Sequence, residues 1–306
     1  MEFQKSQNQS NNEGYYIGWH VVAFLDLLGQ QDALRKITAL PNHEKQEEVH
    51  AFKSNVKKFY EPLKSLRRWF ADSIKSFMEG GINTNTLEPK DQELLRIIRS
   101  TPIFYRNFSD CVIIHIPLRD GIAKIPCRAI YGLLGATAIT FLSCMAHGWD
   151  IRGGIELGLA MDIDKDEIYG PALARAYNIE SKVANYPRIV IGKELIRYLK
   201  LIEGVGSDAT FSMDDKANGL AAKKSMEMLA LDDDGHVIVD YLGNHIRNIL
   251  PHEKIVQIVH QAYNFIIKES IRHQESQNSK LAFRYTLLRN YFESRLPDWG
   301  ISIQSE

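Results

Sequence analysis

The sequence predicts an α+β fold: one sheet-centred domain carrying helical additions. Three observations predict it. Apolar runs of strand length, such as VVAFLDL from Val21, alternate with stretches whose apolar residues recur at helical spacing. Turn formers separate them, and no internal repeat or long linker divides the 306 residues. The apolar content is ample for a core, while 37 basic and 38 acidic side chains nearly cancel. No global pull toward nucleic acid or an anionic membrane follows, so any anionic ligand must be held locally.

Taken in order, residues 1–14 are polar and amide-rich, without a basic head and apolar core, and are expected to be a disordered tail. A strand follows and ends near Asp26. QQDALRKITALP then carries Leu34, Ile37 and Leu40 at helical spacing and stops at Pro41. A longer amphipathic stretch runs from Val49 through Phe52, Val56, Phe59, Leu63 and Leu66 to Phe70, with Pro62 expected to break or kink it. PIFYRNFSDCVIIHIPL reads as two strands around a tight turn at Asn107 to Asp110.

From Ala129 to Ala146 no charge occurs, which is close to membrane-spanning length. The small residues Gly132, Gly135, Ala136 and Ala138, and the lack of basic or aromatic anchors, favour a buried soluble helix instead. DIRGGIELGLAMDI reads as a strand, GPALARAYNIESKVANY as a helix with Pro171 in its first turn, RIVIG as a strand and KELIRYLKLI as a helix. LALDDDGHVIVDYLG predicts a hairpin turning at Asp234 and Gly235. Two amphipathic helices follow Pro251. The predicted divisions are a domain over 15–250 with a helical insertion at about 43–100, and a helical extension over 251–306.

The chemistry starts from Asp26, an acid at the end of an apolar strand, where an uncompensated carboxylate is costly. Asp110, in the hairpin turn, would lie beside it if the two strands were neighbours. Two carboxylates with substrate phosphates suffice for hard divalent cations such as Mg²⁺ or Mn²⁺. The main-chain N–H groups of Leu28, Gly29 and Gln30 open the next helix and would form an anion site for phosphates.

These residues resemble a family. FLDLLGQ (Phe24 to Gln30) is similar to the first metal motif of class III nucleotidyl cyclases, departing at Gln30, and FSDCVII to the second, around Asp110. IRGGIELG resembles the family's R-[IV]-G-I-x-x-G strand, and IYGPALARAYNIESKVANYPRIVIG the block that begins Y-G and ends its helix in L-E-S. The four blocks occur in the family's order over about residues 18–192. The resemblance implies a ferredoxin-like, palm-type βααββαβ fold. It also implies head-to-tail homodimers with composite sites, each holding a nucleoside triphosphate and two divalent cations. It makes Asp26, Leu27 and Asp110 the metal set and Arg152 a phosphate contact.

Departures from the pattern bear on the substrate. Family members acting on ATP read adenine with a Lys and an acid at the positions of Arg106 and Glu167; here the larger side chains would narrow or rewire a purine pocket. The family's Asn-x-x-x-Arg pair falls on Ala174 and Asn178, with Arg175 one position away. Together with the later DDDG hairpin, the pattern most resembles the pyrimidine cyclases of bacterial Pycsar antiphage systems, which make cyclic UMP or cyclic CMP for a separate effector. The expectation is therefore a cytoplasmic enzyme acting on UTP or CTP, without nucleic acid partners or stable membrane insertion. Adenylate or guanylate cyclase, or an inactive nucleotide-binding module, are the alternatives.

Plainer readings stand beside these. Asp26 alone would serve as a turn former or helix cap. Arg152 would form an ordinary salt bridge, Arg106 and Glu167 a solvated pair, and Arg175 with Asn178 a solvated helix face. Tyr177 would pack in the core or an interface. DIDKDE lacks the glycine of a calcium loop, DDDGH suits a turn, and His43 and His50 suit a solvated helix face. Cys111, Cys127 and Cys144 share no ligand spacing and read as small buried apolar residues.

Overall fold

Along β1 (Tyr15–Leu27), Val21, Ala23, Leu25 and Leu27 alternate with His20, Val22, Phe24 and Asp26, which gives the strand one wholly apolar face and one mixed face. The computed structural model describes residues 15–30, 35, 37–79, 103–118, 127–163, 167–206, 212–249 and 252–303. Antiparallel β2 (Phe104–Phe108) and β3 (Cys111–Pro117) form the predicted hairpin, and β3 pairs with β1. On its other side β1 pairs antiparallel with β4 (Ile151–Ile163) along its whole length, from Tyr15 opposite Ile163 to Leu27 opposite Ile151. Short β5 (Glu167–Tyr169) adds to the far end of β4. With β6 (Ile189–Ile191), β7 (Leu229–Leu231) and β8 (Val237–Val239), the mixed sheet has the order β2-β3-β1-β4-β6-β8-β7.

Two helices connect these strands and cover the apolar face: α1 (Gln46–Glu79), between β1 and β2, and α2 (Cys127–Ala146), between β3 and β4. Pro62 does not end α1. The segment beyond it anchors Leu66, Phe70, Ile74 and Met78 in the core, and four buried apolar side chains outweigh the roughly 3 kcal/mol that an interior proline costs. Most of α2 is buried, as its uniformly apolar sequence requires. Within 30–40, Gln30 is helical, Ile37 to Leu40 are not, and residues 31–34 and 36 lie outside the described set. The tail 1–14 and part of DIDKDE lie outside it too. The hairpin turn is tighter than predicted: Asn107 and Phe108 belong to β2, which leaves Ser109, with φ of 52°, and Asp110 to reverse the chain.

The mixed face carries α3 (Pro171–Asn178) and the π-helical turn Ile179–Val183. Gly154 makes that packing possible, since a Cβ there would stand 2.3 Å from the carbonyl oxygen of Ala176. Next come α4 (Lys193–Gly206) and α5 (Met213–Met226), then α6 (Asn244–Ile249), α7 (His252–Glu275) and α8 (Ser279–Glu293). The sequence reading missed α5. Its apolar residues form no stripe, although Ser212 and Asp215 make a capping box that marks its start. The predicted C-terminal extension is the antiparallel pair α7 and α8, with α7 packed on α2. His43 sits in an exposed turn rather than on a helix, and His50 is exposed on α1. All three cysteines are free and buried.

Candidate active site

Asp26 and Asp110 come together because their strands are hydrogen-bonded neighbours. Asp26 lies opposite Cys111 in the β1–β3 register, and the Leu27 N–H donates to the Asp110 carbonyl at 3.4 Å. On its other flank Asp26 lies opposite Arg152 of β4. Arg152 in turn grips Glu180 of the π turn, its Nε 2.7 Å and its terminal nitrogen 2.5 Å from Oε1. The ordinary salt bridge foreseen for Arg152 therefore exists, and it ties α3's end to the acidic pair.

Negative charge accumulates in this corner. Burial, Glu180 and Asp110 together push the Asp26 carboxyl up to about 7, against the opposing pull of Arg152. A divalent cation would relieve that repulsion, and the oxygen donors at this corner fit one: the Asp26 and Asp110 carboxylates, close enough for their charges to interact, with the Leu27 carbonyl next in the chain. No group of three or more His, Cys, Asp or Glu side chains poised for a metal occurs among the described residues, so cations here would share their coordination with phosphate and water. Cys111 is no competitor as a ligand or nucleophile, because burial and the two aspartates push its thiol up to about 11.

The predicted phosphate nest needs correction. Leu28 cannot serve it, since its N–H donates to the Asp150 carbonyl at 2.9 Å. Gly29 and Gln30 are left. Gly29 takes φ of 81°, and a Cβ placed on it would meet nothing within 4 Å, so the chain is open toward a ligand there. Both additions to the domain brace this end of the sheet. Arg67 of α1 donates to the Ser109 carbonyl at 3.1 Å, beside Asp110, and the Tyr285 hydroxyl of α8 donates to the Asp150 carboxylate.

The other predicted residues lie elsewhere. Glu167 pairs with Ile163 at the opposite end of β4 from Arg152, on the order of 30 Å away at about 3.3 Å per residue. Arg106 lies opposite Ile113 and so level with Phe24, two residues along the sheet from Asp26, while its guanidinium stands 3.7 Å from Asp162 and 5.8 Å from the Phe104 ring. It is not solvated, with 18% of its side chain exposed. Between them lie two fully buried histidines, His20 and His115, 5.6 Å apart, with Phe104 stacked on His115. Burial holds both below their usual pKa, His115 down to about 3, so this row is neutral. These histidines were not foreseen, though their alternation on β1 and β3 was readable.

Arg175 and Asn178 are exposed on α3. The charge of Arg175 acts on Glu156, whose carboxylate accepts from the Leu195 N–H in the first turn of α4, and not on Asp26. Tyr177 is half exposed and meets Phe24 edge-on at 5.3 Å. The DDDG turn has a structural occupation: Arg188 binds Asp232 and Asp234, each at 2.5 Å. Comparison with protein-family models finds no match, and neither does comparison with curated proteins or with solved structures.

Proposed function

We propose that this protein is a metal-dependent nucleotidyl cyclase of class III type that converts UTP or CTP into the 3′,5′-cyclic monophosphate and pyrophosphate. The observation that carries the reading is the juxtaposition of Asp26, at the end of β1, with Asp110, in the turn that leads into neighbouring β3, beside Arg152. The strand order β2-β3-β1-β4, antiparallel throughout and with α1 and α2 as crossovers, supports the ferredoxin-like palm that the sequence motifs imply.

In this reading Asp26, Asp110 and the Leu27 carbonyl hold two divalent cations, Mn²⁺ or Mg²⁺. When bound, these supply the Lewis acidity that ionises the ribose 3′-hydroxyl and stabilises the leaving pyrophosphate. The 3′-oxygen attacks the α-phosphorus, the bond to the β-phosphate oxygen breaks, and the hydroxyl proton passes to solvent. The N–H groups of Gly29 and Gln30, with Arg152, face the phosphates. Glu167 sits too far along the sheet to meet that same nucleotide in one chain. A second copy arranged head to tail brings its Arg106, Glu167, Arg175 and Asn178 to complete the site, which makes the enzyme a homodimer. The cyclic nucleotide would act as a second messenger for a separate antiphage effector in the cytoplasm.

The test is incubation with each of the four ribonucleoside triphosphates and Mn²⁺, with identification of products. Cyclic UMP or cyclic CMP is the expected product; a purine product would make it an adenylate or guanylate cyclase. Ala174 and Asn178, where the family carries Asn and Arg, favour a second reading as a binding module. That module would take up triphosphate and release no pyrophosphate.

A further inference from the structure

The ribbon of β1 and β4 outruns its neighbours. The pairing of β3 with β1 reaches only to His20, so Tyr15 to Gly18 have β4 alone beside them, and β4 carries β5 on its other edge. Strand alternation gives this free end two faces. On one, Ala160 and Ile168 join Val22 and Ile113 in a small buried cluster. On the other, Ile17, Met161 and Tyr169 form a cross-strand row, with Tyr15 and Leu159 to either side of it. Ile17 is 56% and Tyr169 65% exposed, and Tyr15 and Leu159 are exposed too.

Single exposed leucines are normal, whereas a contiguous apolar sheet face is a surface for association. Among the described residues the charge on that face is Glu167, opposite Ile163, and the sequence DIDKDE makes the tip acidic. A complement stands at the acidic end of the ribbon. Phe108, beside the β2–β3 turn, is 73% exposed. The Arg67 bond to Ser109 holds α1 against that turn. Between Lys57 and Arg68 this helix carries five basic residues and one acid, with Lys57, Lys58, Lys64 and Arg68 exposed. Each chain thus bears both halves of a match in shape and charge, and two copies related by a two-fold axis satisfy both halves without a third component.

We propose that the free end of the ribbon docks on a second copy of this chain, with Ile17 and Tyr169 against that copy's Phe108 and the acidic tip beside its Lys64 and Arg68. The symmetry repeats the contact, so each pair of chains makes it twice. The inference rests on the cyclase reading only for what the pairing achieves, which is to carry Glu167 to the acidic end of the second copy.

Sedimentation velocity of the full-length chain reads the pairing independently of activity. The wild type is expected to be a dimer, and Ile17→Lys to raise its dissociation constant about 100-fold or more, because the change enters both contacts. Tyr169→Lys repeats the test on the edge strand. Leu220→Lys, at an exposed leucine of α5, is expected to leave the dimer intact. Ile17 and Tyr169 are exposed in the single chain, so both variants should keep the wild-type circular dichroism, which separates lost pairing from lost folding. Because the native thiols are buried, Glu167→Cys and Arg68→Cys then test the seat. A short bismaleimide is expected to join these two variants when they are mixed and left to exchange, and neither alone. A monomeric wild type overturns the docking, as do undiminished pairing in Ile17→Lys and Tyr169→Lys, an equal loss in Leu220→Lys, or joining of Glu167→Cys to itself. A dimer joined as proposed that converts none of the four nucleotides upholds the docking and sinks the cyclase reading. Conversion by a wild type that stays monomeric does the reverse.

Discussion

The two ends of the long β1–β4 ribbon are built for different work. At one end Asp26, Asp110 and Glu180 concentrate negative charge, and the helices α1 and α8 brace the turns through Arg67 and Tyr285. Farther along, Phe104, His20 and His115 form a neutral aromatic row flanked by the Arg106 guanidinium, and β5 pairs with the far end of β4. The acidic end suits cations and phosphates; the two histidines of the aromatic row are fully buried and neutral. In the proposed head-to-tail dimer, a nucleotide held at the acidic end of one copy would meet Glu167 of the other.

Breaking the acidic end should cost the most. Asp26→Ala or Asp110→Ala should reduce pyrophosphate release more than about 100-fold, beyond the loss typical of residues that merely orient a metal ligand, while the melting temperature holds or rises. Pyrophosphate release at the wild-type rate in either variant removes the metal role. Breaking each end in a different chain then asks whether the ends cooperate. Asp110→Ala and the double variant Arg106→Ala with Glu167→Ala should each be inactive alone, and an equal mixture should recover about a quarter of wild-type activity, from mixed dimers with one intact site. No recovery on mixing, with dimers verified, means the two ends do not share a nucleotide.

Much of the acidic end was legible in the sequence. An acid closing an apolar strand and another in a hairpin turn placed Asp26 and Asp110, because strand alternation and turn residues are local signals. The supports were not legible, since Arg67 and Tyr285 come from segments far along the chain whose meeting is decided by packing. The error at Leu28 has the same origin: its N–H partner, the Asp150 carbonyl, is 122 residues away. Pro62 misled because local propensity speaks against a helix that tertiary burial holds together.

A smaller effect follows from protons. Asp26 has an ordinary carboxyl pKa near 4 when unfolded and one of about 7 in the metal-free fold, so the native state holds its proton longer. Ionising it opposes folding. Relative to Asp26→Asn, wild type should match at pH 4, lose stability as pH rises toward 7, and show a constant deficit above it. Using the difference removes the opposite trend from His20 and His115, which disfavour folding as pH falls below the ordinary histidine range. A difference independent of pH in chemical denaturation would show that Asp26 is not held in the acidic corner.

Smallest is the brace. Tyr285→Phe removes one hydrogen bond to buried Asp150 and should destabilise by about 1–3 kcal/mol, lowering activity more than Arg67→Ala does, since the Ser109 carbonyl that Arg67 leaves can turn to water. Equal effects in melting and turnover assays would show that the two additions brace the site alike.

The cyclase reading stands or falls with Asp26 and Asp110 holding divalent cations jointly. Electron paramagnetic resonance of Mn²⁺ titrated into the protein with 3′-deoxy-UTP, which lacks the attacking hydroxyl, observes that binding without turnover. Bound Mn²⁺ is expected in the wild type and its loss in both Asp26→Asn and Asp110→Asn; Mn²⁺ retained in full by either variant would contradict joint coordination.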